Sequence, residues 1–535
     1  MSERWQPRTT YTRQEEALLR RLRRTRKLFA FLRDHRSAIF DDAFQAELDE
    51  TYRATGAGSA PVPPALMAMA LILQAYLGTS DAEAVELTVV DLRWQMVLGR
   101  LGCEEPAFAQ GSIVNFRERL IATEMDRRLL ERTVAFARET QAFDWKKLPK
   151  RLRVAIDSSP LEGAGRVEDT INLLGHAARN VVTCAAGLLG WSFEQLALKA
   201  GIPVLLATSV KQGLDIEWSD ADAKAEAVKI LTEQIASLTG WLEQHLAEEI
   251  ANPPLKEHVE TLATIVSQDL EPDPNGGGSR IKEGVAPDRR ISIEDPDMRH
   301  GRKSKSKRFN GYKRHLATDL DTNLIVGCAV TPANRPEEEA APQLKVDIEH
   351  MDRVIGELHI DRGYIASPVV GEVLDARGEV VCKPWVPRNG ERFTKGDFKI
   401  NLRTMTITCP AGEVEQIDLG ADVEFNPEAC ARCLLHAQCT TAAPGNGRSV
   451  TIADDELLQH RLRKLSSTKR GRARMRERVA IEHSLAHLGR RQGRRARYRG
   501  TRKNLLDVRR AAIIQNLEIL QRRLDPAVEP AAKAA

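Results

Sequence analysis

Hydrophobic positions along the first part of the chain recur at the spacing of helices. Residues 15–140 carry this pattern, and the apolar stretch at residues 65–77 is typical of a buried helix. Ser80 followed by Glu83 resembles a helix start. Residues 113–120 predict a short amphipathic helix with an arginine-rich face. The first part of the chain is therefore predicted to be all-α.

After residue 150 the pattern becomes one of alternation. Residues 151–157 alternate and contain β-branched side chains, which predicts a strand that ends on Asp157. Residues 171–266 return to a helical pattern, with Ser219 and Asp220 as its N-cap region, and residues 271–289 predict a loop. Further strands are predicted at residues 311–318, 323–331, 357–361 and 379–383, with helices at 337–350 and 367–377. This order implies an α/β fold, a mixed sheet with helices on its faces.

Basic residues are concentrated in three runs, although the net charge of the 535-residue chain is only +4. Residues 461–510 hold 19 Lys or Arg against three acids, and residues 299–314 hold eight basic residues and no acid. The third run, residues 20–27, is by itself more typical of a solvated helix face. Two runs of this density indicate a surface for a polyanion, and nucleic acid is the expected partner.

The composition is that of a folded globular protein, with 42% hydrophobic and 29% charged residues. The longest apolar segment, residues 65–77, is too short to span a bilayer. The first ten residues lack the apolar region of a secretory signal. These features predict a cytoplasmic protein.

Three carboxylates stand out against this background. Asp157 and Asp361 each follow a predicted strand, and Glu482 is one of three acids in the most basic segment. Taken singly, each aspartate is a common turn former or cap, and Glu482 is suitably spaced for an ion pair with Arg478. Taken together, they are hard oxygen ligands of the kind that hold Mg²⁺ or Mn²⁺. A pair of such ions serves in-line phosphoryl transfer.

A series of short motifs around these acids resembles a known family. They are AIDSSP (residues 155–160), GAGRVEDT (163–170), DPDMR (295–299), GYKRH (311–315), VTPAN (330–334), DRGY (361–364) and RVAIE (478–482). In this order they resemble the DDE-type transposases of bacterial insertion sequences, and the resemblance covers roughly residues 15–520.

The resemblance implies an RNase H-like core in which Asp157, Asp361 and Glu482 form a metal-binding catalytic triad. It implies Mg²⁺ or Mn²⁺ as cofactor and double-stranded DNA as partner, in the form of terminal inverted repeats and target DNA. Strand cleavage at each element end followed by strand transfer is the implied activity. A dimer or larger assembly on paired ends, in the bacterial cytoplasm and associated with the nucleoid, is also implied.

The third acid departs from the pattern of many relatives, which carry Tyr, Arg, Glu and Lys at fixed spacings. Arg478 and Glu482 match, but Met475 stands at the Tyr position and Gly489 at the Lys position. The residues expected to hold phosphates are Arg478, Lys313, Arg490, Arg491, Arg494, Arg495, Arg117 and Arg119.

Four of the eight cysteines have the spacing of a metal site. Cys409, Cys430, Cys433 and Cys439 combine a Cys-x2-Cys knuckle with two more distant thiols, as a tetrahedral Zn²⁺ requires. A zinc-ribbon-like structural site is the expectation, with His436 as a bystander. Reduced, unpaired thiols and disulfides are the alternatives. Cys103, Cys184, Cys328 and Cys382 lie in apolar surroundings and are predicted to be buried.

The sequence and the resemblance together predict a division of the chain. An N-terminal all-α DNA-binding domain (1–145) is expected to recognise the inverted repeats; the alternative is a helical bundle that supports dimerisation. The other predicted parts are the first core strand (146–170), a helical insertion (171–290), the core (291–395), the four-cysteine insertion (396–455), basic helices with Glu482 (456–522) and a disordered tail (523–535).

Two other functions remain open at this point. A metal-dependent RNase H-like nuclease would cut DNA without joining it. A transposase-derived protein without catalytic activity would bind DNA with a salt-dependent affinity and would not cut it.

Overall fold

A computed structural model describes residues 4–22, 26–52, 61–140, 142–143, 150–274, 278–443 and 445–524. The predicted tail after residue 524 and part of the basic run at residues 20–27 lie outside these ranges. The N-terminal part is helical as predicted, with α1 (Arg13–Arg21), α2 (Arg26–Ile39), α3 (Asp42–Glu50), α4 (Pro64–Leu77), α5 (Asp81–Val90), α6 (Leu92–Leu98), α7 (Gln110–Ala122) and α8 (Met125–Glu139).

Local sequence signals explain where these helices begin and end. Pro64 opens α4, because its fixed φ suits a first helical turn, and Gly78 closes this helix with a φ of 73°. The helix start predicted at Ser80 is present, and Ser80 and Glu83 form a capping box of α5, in which each side chain accepts a hydrogen bond from the other residue's backbone N–H. The α4 helix is apolar on all sides because it is the buried centre of this part.

The chain then enters β1 (Arg151–Glu162), which extends five residues beyond the strand end predicted at Asp157. A helical segment with its own hydrophobic core follows, and Asp220 is the N-cap of its longest helix. It contains α9 (Thr170–Leu189), α10 (Phe193–Lys199), α11 (Val210–Leu214), α12 (Ala221–His245), α13 (Ala247–Ile250) and α14 (Leu255–Asp269). The segment predicted as a loop at 271–289 is irregular over residues 282–289, but its first part forms a short strand pair, β2 (Leu270–Pro272) and β3 (Ser279–Ile281).

The predicted mixed sheet is confirmed. Its remaining strands are β4 (Arg299–Arg302), β5 (Arg308–Asp319), β6 (Ile325–Pro332), β7 (Val354–His359) and β8 (Glu379–Val381), with helices α15 (Ala341–Glu349) and α16 (Pro368–Asp375) between them. The strand order is β4-β5-β1-β7-β8, and β6 pairs with β5. β1, β7 and β8 are parallel, whereas β5 runs antiparallel to β1.

Gly311 allows β1 and β5 to remain paired to the end of β1. Its φ of 143° disfavours any residue with a side chain, and a Cβ there would collide with the backbone of Leu161 and Gly163. The close approach keeps β5 beside β1 past Asp157, which explains the extra length of β1.

A small β-rich unit follows the sheet and has a separate core around Phe398, Ile407 and Phe425. It consists of β9 (Lys399–Asn401), β10 (Thr406–Thr408), β11 (Val414–Gln416), β12 (Asp422–Glu424), α17 (Pro427–Ala431), α18 (His436–Cys439) and β13 (Ser449–Thr451). The C-terminal helices are α19 (Glu456–Ser467), α20 (Lys469–Glu477), α21 (Val479–Gln492) and α22 (Thr501–Leu524).

The α22 helix connects the N-terminal helices to the sheet. Asn516 on α22 hydrogen-bonds the backbone N–H and C=O of Ile325 on β6 and the hydroxyl of Thr133 on α8. Arg509 forms buried ion pairs with Asp126 at 3.1 Å and Asp347 at 3.0 Å. Truncating either partner of such a pair leaves a buried charge uncompensated. The contacts of Asn516 and Arg509 therefore hold the N-terminal helices, α22 and the sheet in one arrangement.

Within the described ranges, no single helix is long and apolar enough to cross a membrane. Two sharply bent helix pairs, α4 with α5 and α9 with α10, reach the required length and composition when taken together.

Candidate active site

The register of two parallel strands places Asp157 and Asp361 at the same level of the sheet. β1 and β7 pair up to Ala155 and His359, so each aspartate lies two residues beyond the last paired position. Beyond this point β1 continues along β5, whereas the chain after β7 leaves the sheet in a 3-10 turn, Arg362–Tyr364. Two residues that are 204 positions apart in sequence therefore become neighbours.

The third acid comes from a helix that packs on the same strands. α21 contacts β1 and β5, and the face that it buries contains Ile481, Leu485 and Leu488. Glu482 lies in the first turn of α21, and its side chain is about half exposed. The apolar periodicity of α21 thus leaves its carboxylate at the edge of the helix, toward the aspartates.

The guanidinium of Arg478 contacts all three acids. Its Nη1 lies 2.7 Å from Asp157 Oδ2, and its Nη2 lies 3.1 Å from Glu482 Oε1 and 3.9 Å from Asp361 Oδ2. The ion pair between Arg478 and Glu482 that the sequence suggested is present, but the same cation also reaches the two aspartates. The three predicted triad residues therefore converge on one positive charge.

Each aspartate has one oxygen fixed by the backbone and the other directed at this charge. Asp157 Oδ1 accepts a hydrogen bond from the Ser158 N–H at 2.8 Å, and Asp361 Oδ1 accepts one from the Arg362 N–H at 2.7 Å. Asp361 is thus also the turn cap that its sequence context suggested. The remaining oxygen of each carboxylate is the one that faces Arg478.

The electrostatics of Asp157 show that negative charge is crowded here. Burial raises the pKa of Asp157 above its ordinary value, and Arg478 and the Ser158 N–H oppose this rise. The carboxylates of Glu337 and Asp361 raise the same pKa further. A divalent cation would relieve this repulsion, and the carboxylate donors are of the type that Mg²⁺ and Mn²⁺ prefer.

The triad residues suit a cation only if Arg478 moves. Among the described residues, the one group of three or more His, Cys, Asp or Glu side chains whose ligand atoms all lie within 4.8 Å of one another is Glu357, His359 and Glu477. The triad oxygens are spread more widely because a guanidinium stands between them. The Arg478 guanidinium therefore occupies the position in which a bound cation would compensate the negative charge of the three acids.

The cluster at Glu357 is already satisfied by the protein. Arg153 and Arg474 form ion pairs with Glu357, and His359 hydrogen-bonds it at 2.5 Å. Burial alone would raise the pKa of Glu357, but the hydrogen bonds from His359 and Arg474 outweigh burial and lower it to about 2. Two arginines thus neutralise this cluster, which we interpret as an ion-pair network.

Comparison with known families bears on both halves of the chain. A family model described as "Transposase DDE domain" matches residues 285–517, and one described as "Transposase domain (DUF772)" matches residues 18–119. The chain belongs to the DDE-type transposases of insertion elements. No curated protein and no solved structure gives a match.

The matched range of the transposase contains Asp361 and Glu482, whereas Asp157 lies between the two matches. Asp157 is therefore linked to the other two acids by strand register and by its contact with Arg478. The helical segment α9–α14 also falls between the matched ranges.

Two arginines of the N-terminal part are held by contacts inside the protein. Arg117 is buried, and its two Nη atoms donate to the Asp81 carboxylate at 2.5 and 2.6 Å. Arg119 stacks on the ring of Tyr52 with its guanidinium carbon 3.7 Å from the ring centroid. These contacts fix the helix α7 against its neighbours.

The basic residues near the sheet differ in whether their side chains are exposed and free to contact a phosphate. Arg490 is exposed, but Arg491 forms an ion pair with Glu518 at 2.7 Å. Lys313 donates from Nζ to the Arg335 carbonyl at 2.7 Å, and its burial lowers its pKa. Of these three, Arg490 has the exposed position that a phosphate contact requires.

Arg494 and Arg495 lie beside the far end of β1. The backbone at 494–496 adds to β1 through hydrogen bonds with Glu162, and Arg495 donates to the Ala164 carbonyl at 2.8 Å. Arg494 is 87% exposed and pairs with Glu162 at 2.5 Å. The segment thus brings basic side chains to within five residues of Asp157 along β1.

Arg314 is a site neighbour that sequence reasoning did not single out. It lies against Gly489, the position at which relatives carry lysine, and hydrogen-bonds Ser159 and Gln492, each at 2.8 Å. Arg314 is buried, so it ties α21 to β1 rather than facing solvent. The absence of a side chain at Gly489 leaves room for this guanidinium.

The four predicted zinc ligands line one cavity of about 560 Å³, together with His436, Phe393 and Phe425. All eight cysteines are free thiols in the structure. Of the four cysteines predicted to be buried, Cys328 and Cys382 are buried, whereas Cys103 and Cys184 are only partly so.

Removal of the Arg478 charge is expected to strengthen cation binding in the absence of DNA. In Arg478→Gln the carboxylates lose their compensating guanidinium, so we expect the Kd for Mn²⁺ to fall roughly tenfold, about 1.4 kcal/mol. Isothermal titration calorimetry of the full chain measures this. Arg490→Gln, which replaces an exposed arginine on α21, the helix that follows Arg478, is the matched control and should leave the Kd unchanged. An Mn²⁺ affinity that is equal or weaker in Arg478→Gln would contradict the competition.

Proposed function

We propose that this transposase binds the terminal inverted repeats of an insertion sequence, cleaves one strand at each end and transfers the freed 3′-hydroxyl to target DNA. The observation that carries the proposal is the convergence of Asp157, Asp361 and Glu482 on the single guanidinium of Arg478. In this proposal the three acids hold Mg²⁺ or Mn²⁺, which when bound supplies the clamp on the attacking and leaving oxygens.

The residues of the chain have separate tasks in this reaction. The backbone N–H groups of Ser158 and Arg362 fix one oxygen of each aspartate, so the other oxygens keep their direction toward the reaction centre. Water breaks the phosphodiester bond and leaves a 3′-hydroxyl and a 5′-phosphate. The 3′-hydroxyl then attacks a phosphodiester of the target and displaces its 3′-oxygen. Arg478, once released from the acids, is positioned to bind a phosphate.

Loss of the first acid is expected to separate DNA binding from cleavage. Asp157→Ala should retain binding to a fragment with the element's own ends and should lose Mn²⁺-dependent nicking, since it removes a carboxylate that faces Arg478. Gel shift and nicking assays with Mn²⁺ and with EDTA measure the two properties. Asp375→Ala, an exposed aspartate at the end of α16, is the control.

The wild-type reaction in the same assay distinguishes the alternatives. Metal-dependent cuts together with joined products support the transposase reaction, whereas cuts without joining indicate a nuclease. Binding without any cut indicates a non-catalytic DNA-binding protein. Nicking that persists in Asp157→Ala would remove Asp157 from the mechanism.

A basic hairpin is the strongest candidate for binding the DNA backbone. The tip between β4 and β5 exposes five cations without an acid: Arg302, Lys303, Lys305, Lys307 and Arg308. Arg302 and Arg308 stand directly opposite each other across the strand pair, an arrangement of like charges that destabilises a sheet. A polyanion laid across the tip would offset this repulsion.

The hairpin lies along the same strand as the active site. Leu316 of β5 pairs with Asp157, and Arg308 is eight residues away on β5, on the order of 25 Å at the rise of a strand. DNA held at the hairpin would therefore be gripped several base pairs from the bond at the acids. This distance suits a contact that positions the duplex.

Neutralising the hairpin should weaken DNA binding in a salt-dependent way. For Lys303→Ala/Lys305→Ala/Lys307→Ala we expect the slope of log K against log[salt] to fall by about one for each phosphate that is no longer bound. Fluorescence anisotropy over a range of salt concentrations measures it. The control variant removes the same number of positive charges from three exposed lysines on α10, α12 and α14: Lys199→Ala/Lys224→Ala/Lys256→Ala. Equal slopes for the two variants would contradict the assignment.

We also propose that the N-terminal helices recognise the inverted repeats. The support is the transposase-domain match at residues 18–119. One observation favours the alternative of a supporting bundle: these helices share a hydrophobic core with β6 and α22. Arg117 is left out of the proposed DNA surface because Asp81 holds it.

The predicted domain boundaries and the assembly of two or more copies on paired ends remain part of the proposal.

The four-cysteine cavity is proposed to bind a structural Zn²⁺. Burial raises the pKa of Cys439 and Arg448 lowers it, while the neighbouring thiols Cys430, Cys409 and Cys433 raise it further. The charges of the other three thiols therefore act on Cys439. Among the described residues no three of the four sulfurs lie within 4.8 Å of one another, so a zinc ion would have to draw them together.

Zinc content tests this assignment directly. We expect one Zn²⁺ per chain by elemental analysis of protein purified without added metal. Cys430→Ser/Cys433→Ser should lose the zinc and unfold at a lower temperature, because the metal contributes to folding of the small β-rich unit. Cys103→Ser is the control. A chain without zinc whose four thiols all react with a thiol reagent would support the reduced-thiol alternative.

A further inference from the structure

A fourth carboxylate, that of Glu337, stands beside the proposed triad. Glu337 opens the 3-10 turn Glu337–Ala340 that follows β6, a position that the sequence suggested only as a helix start. Its Oε1 accepts a hydrogen bond from Ser158 Oγ at 2.5 Å. Ser158 is the residue whose backbone N–H holds Asp157, so Glu337 is connected to the site through a single residue.

A glycine on the other side makes room for the same carboxylate. Gly363 lies two residues after Asp361, and a Cβ there would collide with Glu337 Oε2. The Glu337 carboxylate therefore lies between the turn that follows Asp361 and the strand that carries Asp157. A side chain at position 363 would displace the Glu337 carboxylate from this place.

A buried chain of polar side chains supports this arrangement from behind. His315 hydrogen-bonds Tyr364 Oη through Nδ1 at 2.7 Å and Thr331 Oγ1 through Nε2 at 2.9 Å. Burial lowers the pKa of His315 to about 3, so the ring is neutral at physiological pH. Burial raises the pKa of Tyr364, Glu337 and Asp157 add to the rise, and a hydrogen bond with Ser158 opposes it.

The buried hydrogen bonds link three motifs through residues that had no assigned task. His315 belongs to GYKRH, Thr331 to VTPAN and Tyr364 to DRGY, and all of them lead to Ser158 of AIDSSP. With a neutral histidine and a neutral tyrosine, this interior brings no positive charge to Glu337. The chain can orient the carboxylate but cannot neutralise it.

Protein cations also leave the Glu337 charge without direct compensation. Within the described part of the chain, Glu337 makes no ion pair shorter than 4.0 Å. Burial lowers the pKa of Lys313 and the charge of Glu337 opposes this, so the two groups interact without forming an ion pair. The Lys313 ammonium group donates its hydrogen bond to the Arg335 carbonyl. Three carboxylates thus face the guanidinium of Arg478, and Glu337 places a fourth negative charge near Asp157, whose pKa it raises. Such an excess of negative charge favours a bound cation.

We propose that Glu337 is a fourth acidic ligand of the divalent-cation site and binds the cation together with Asp157 and Asp361. The inference rests on the proposed function, because it assumes that the triad holds the cation. Ser158 and the buried chain through Tyr364 and His315 are positioning residues in this view. Their task is to keep one Glu337 oxygen engaged so that the other stays directed into the site.

Cation binding without DNA tests the role of Glu337 independently of catalysis. Glu337→Gln keeps the side-chain volume and an oxygen for Ser158 but removes the charge. We expect a Kd for Mn²⁺ at least tenfold higher than that of the wild type, measured by isothermal titration calorimetry on the full chain. Glu339→Gln, an exposed neighbour two positions away, should match the wild type.

A second readout locates the cation. Fe²⁺ bound in place of Mn²⁺, with peroxide and ascorbate, cleaves the polypeptide near its ligands. In the wild type we expect cuts near residues 157, 337 and 361, and in Glu337→Gln the cuts should weaken at all three. Glu337→Asp, which retains the charge on a shorter side chain, should bind Mn²⁺ with an affinity between those of the wild type and Glu337→Gln. It replaces Glu337→Gln as the test variant if Glu337→Gln does not fold.

The outcomes separate this inference from the proposed function. A wild type that neither binds Mn²⁺ nor nicks DNA contradicts the proposed function. A wild type that does both, together with unchanged Mn²⁺ affinity in Glu337→Gln, overturns only the role of Glu337. Ser158→Ala distinguishes a ligand from a positioning group. If it weakens Mn²⁺ binding as much as Glu337→Gln does, Glu337 acts through Ser158 and is not a ligand.

Discussion

Repulsion between carboxylates is the constraint on which the site depends. Two unit charges about 4 Å apart interact by roughly 4 kcal/mol at an effective dielectric constant near 20, so a group of such acids is costly to assemble. The fold meets this cost with one arginine, whose planar guanidinium can contact several acids at once. Arg478 does so with Asp157, Asp361 and Glu482. The guanidinium thereby holds the three acids together.

The sheet makes this assembly unavoidable. Parallel pairing of β1 with β7 puts the two aspartates level, and the backbone N–H groups that follow them fix one oxygen of each. Helix α21 is oriented by its apolar face, which covers β1 and β5. Once these surfaces are buried, the carboxylate of Glu482 has little choice of position. The active-site geometry is therefore a consequence of core packing.

The sequence predicted the parts of this site that depend on pattern. Alternation and β-branched residues located β1, and the strand predicted at 357–361 overlaps β7, which runs from Val354 to His359. The isolated acids Asp157, Asp361 and Glu482 were recognised from their surroundings. Sequence did not predict that β1 extends past Asp157, since this depends on pairing with β5 and on the close approach at Gly311. Glu337 was also missed, because it is one of three consecutive glutamates and only its contact with Ser158 distinguishes it. Arg117 was expected to face DNA, but its burial against Asp81 depends on how two helices pack.

On the proposed function, the position of Arg478 links cation binding to DNA binding. While the Arg478 guanidinium compensates the acids, it is not free to bind a phosphate. When a divalent cation compensates the acids, the guanidinium becomes free to bind one. A cation that displaces Arg478 must then favour phosphate binding, and by thermodynamic reciprocity a bound phosphate must favour the cation by the same factor. A flexible ammonium would couple the two events less strictly, because it has no planar fork with which to contact several acids at once. On the proposed function, this arrangement restricts the assembled reaction centre to the state in which DNA is already in place.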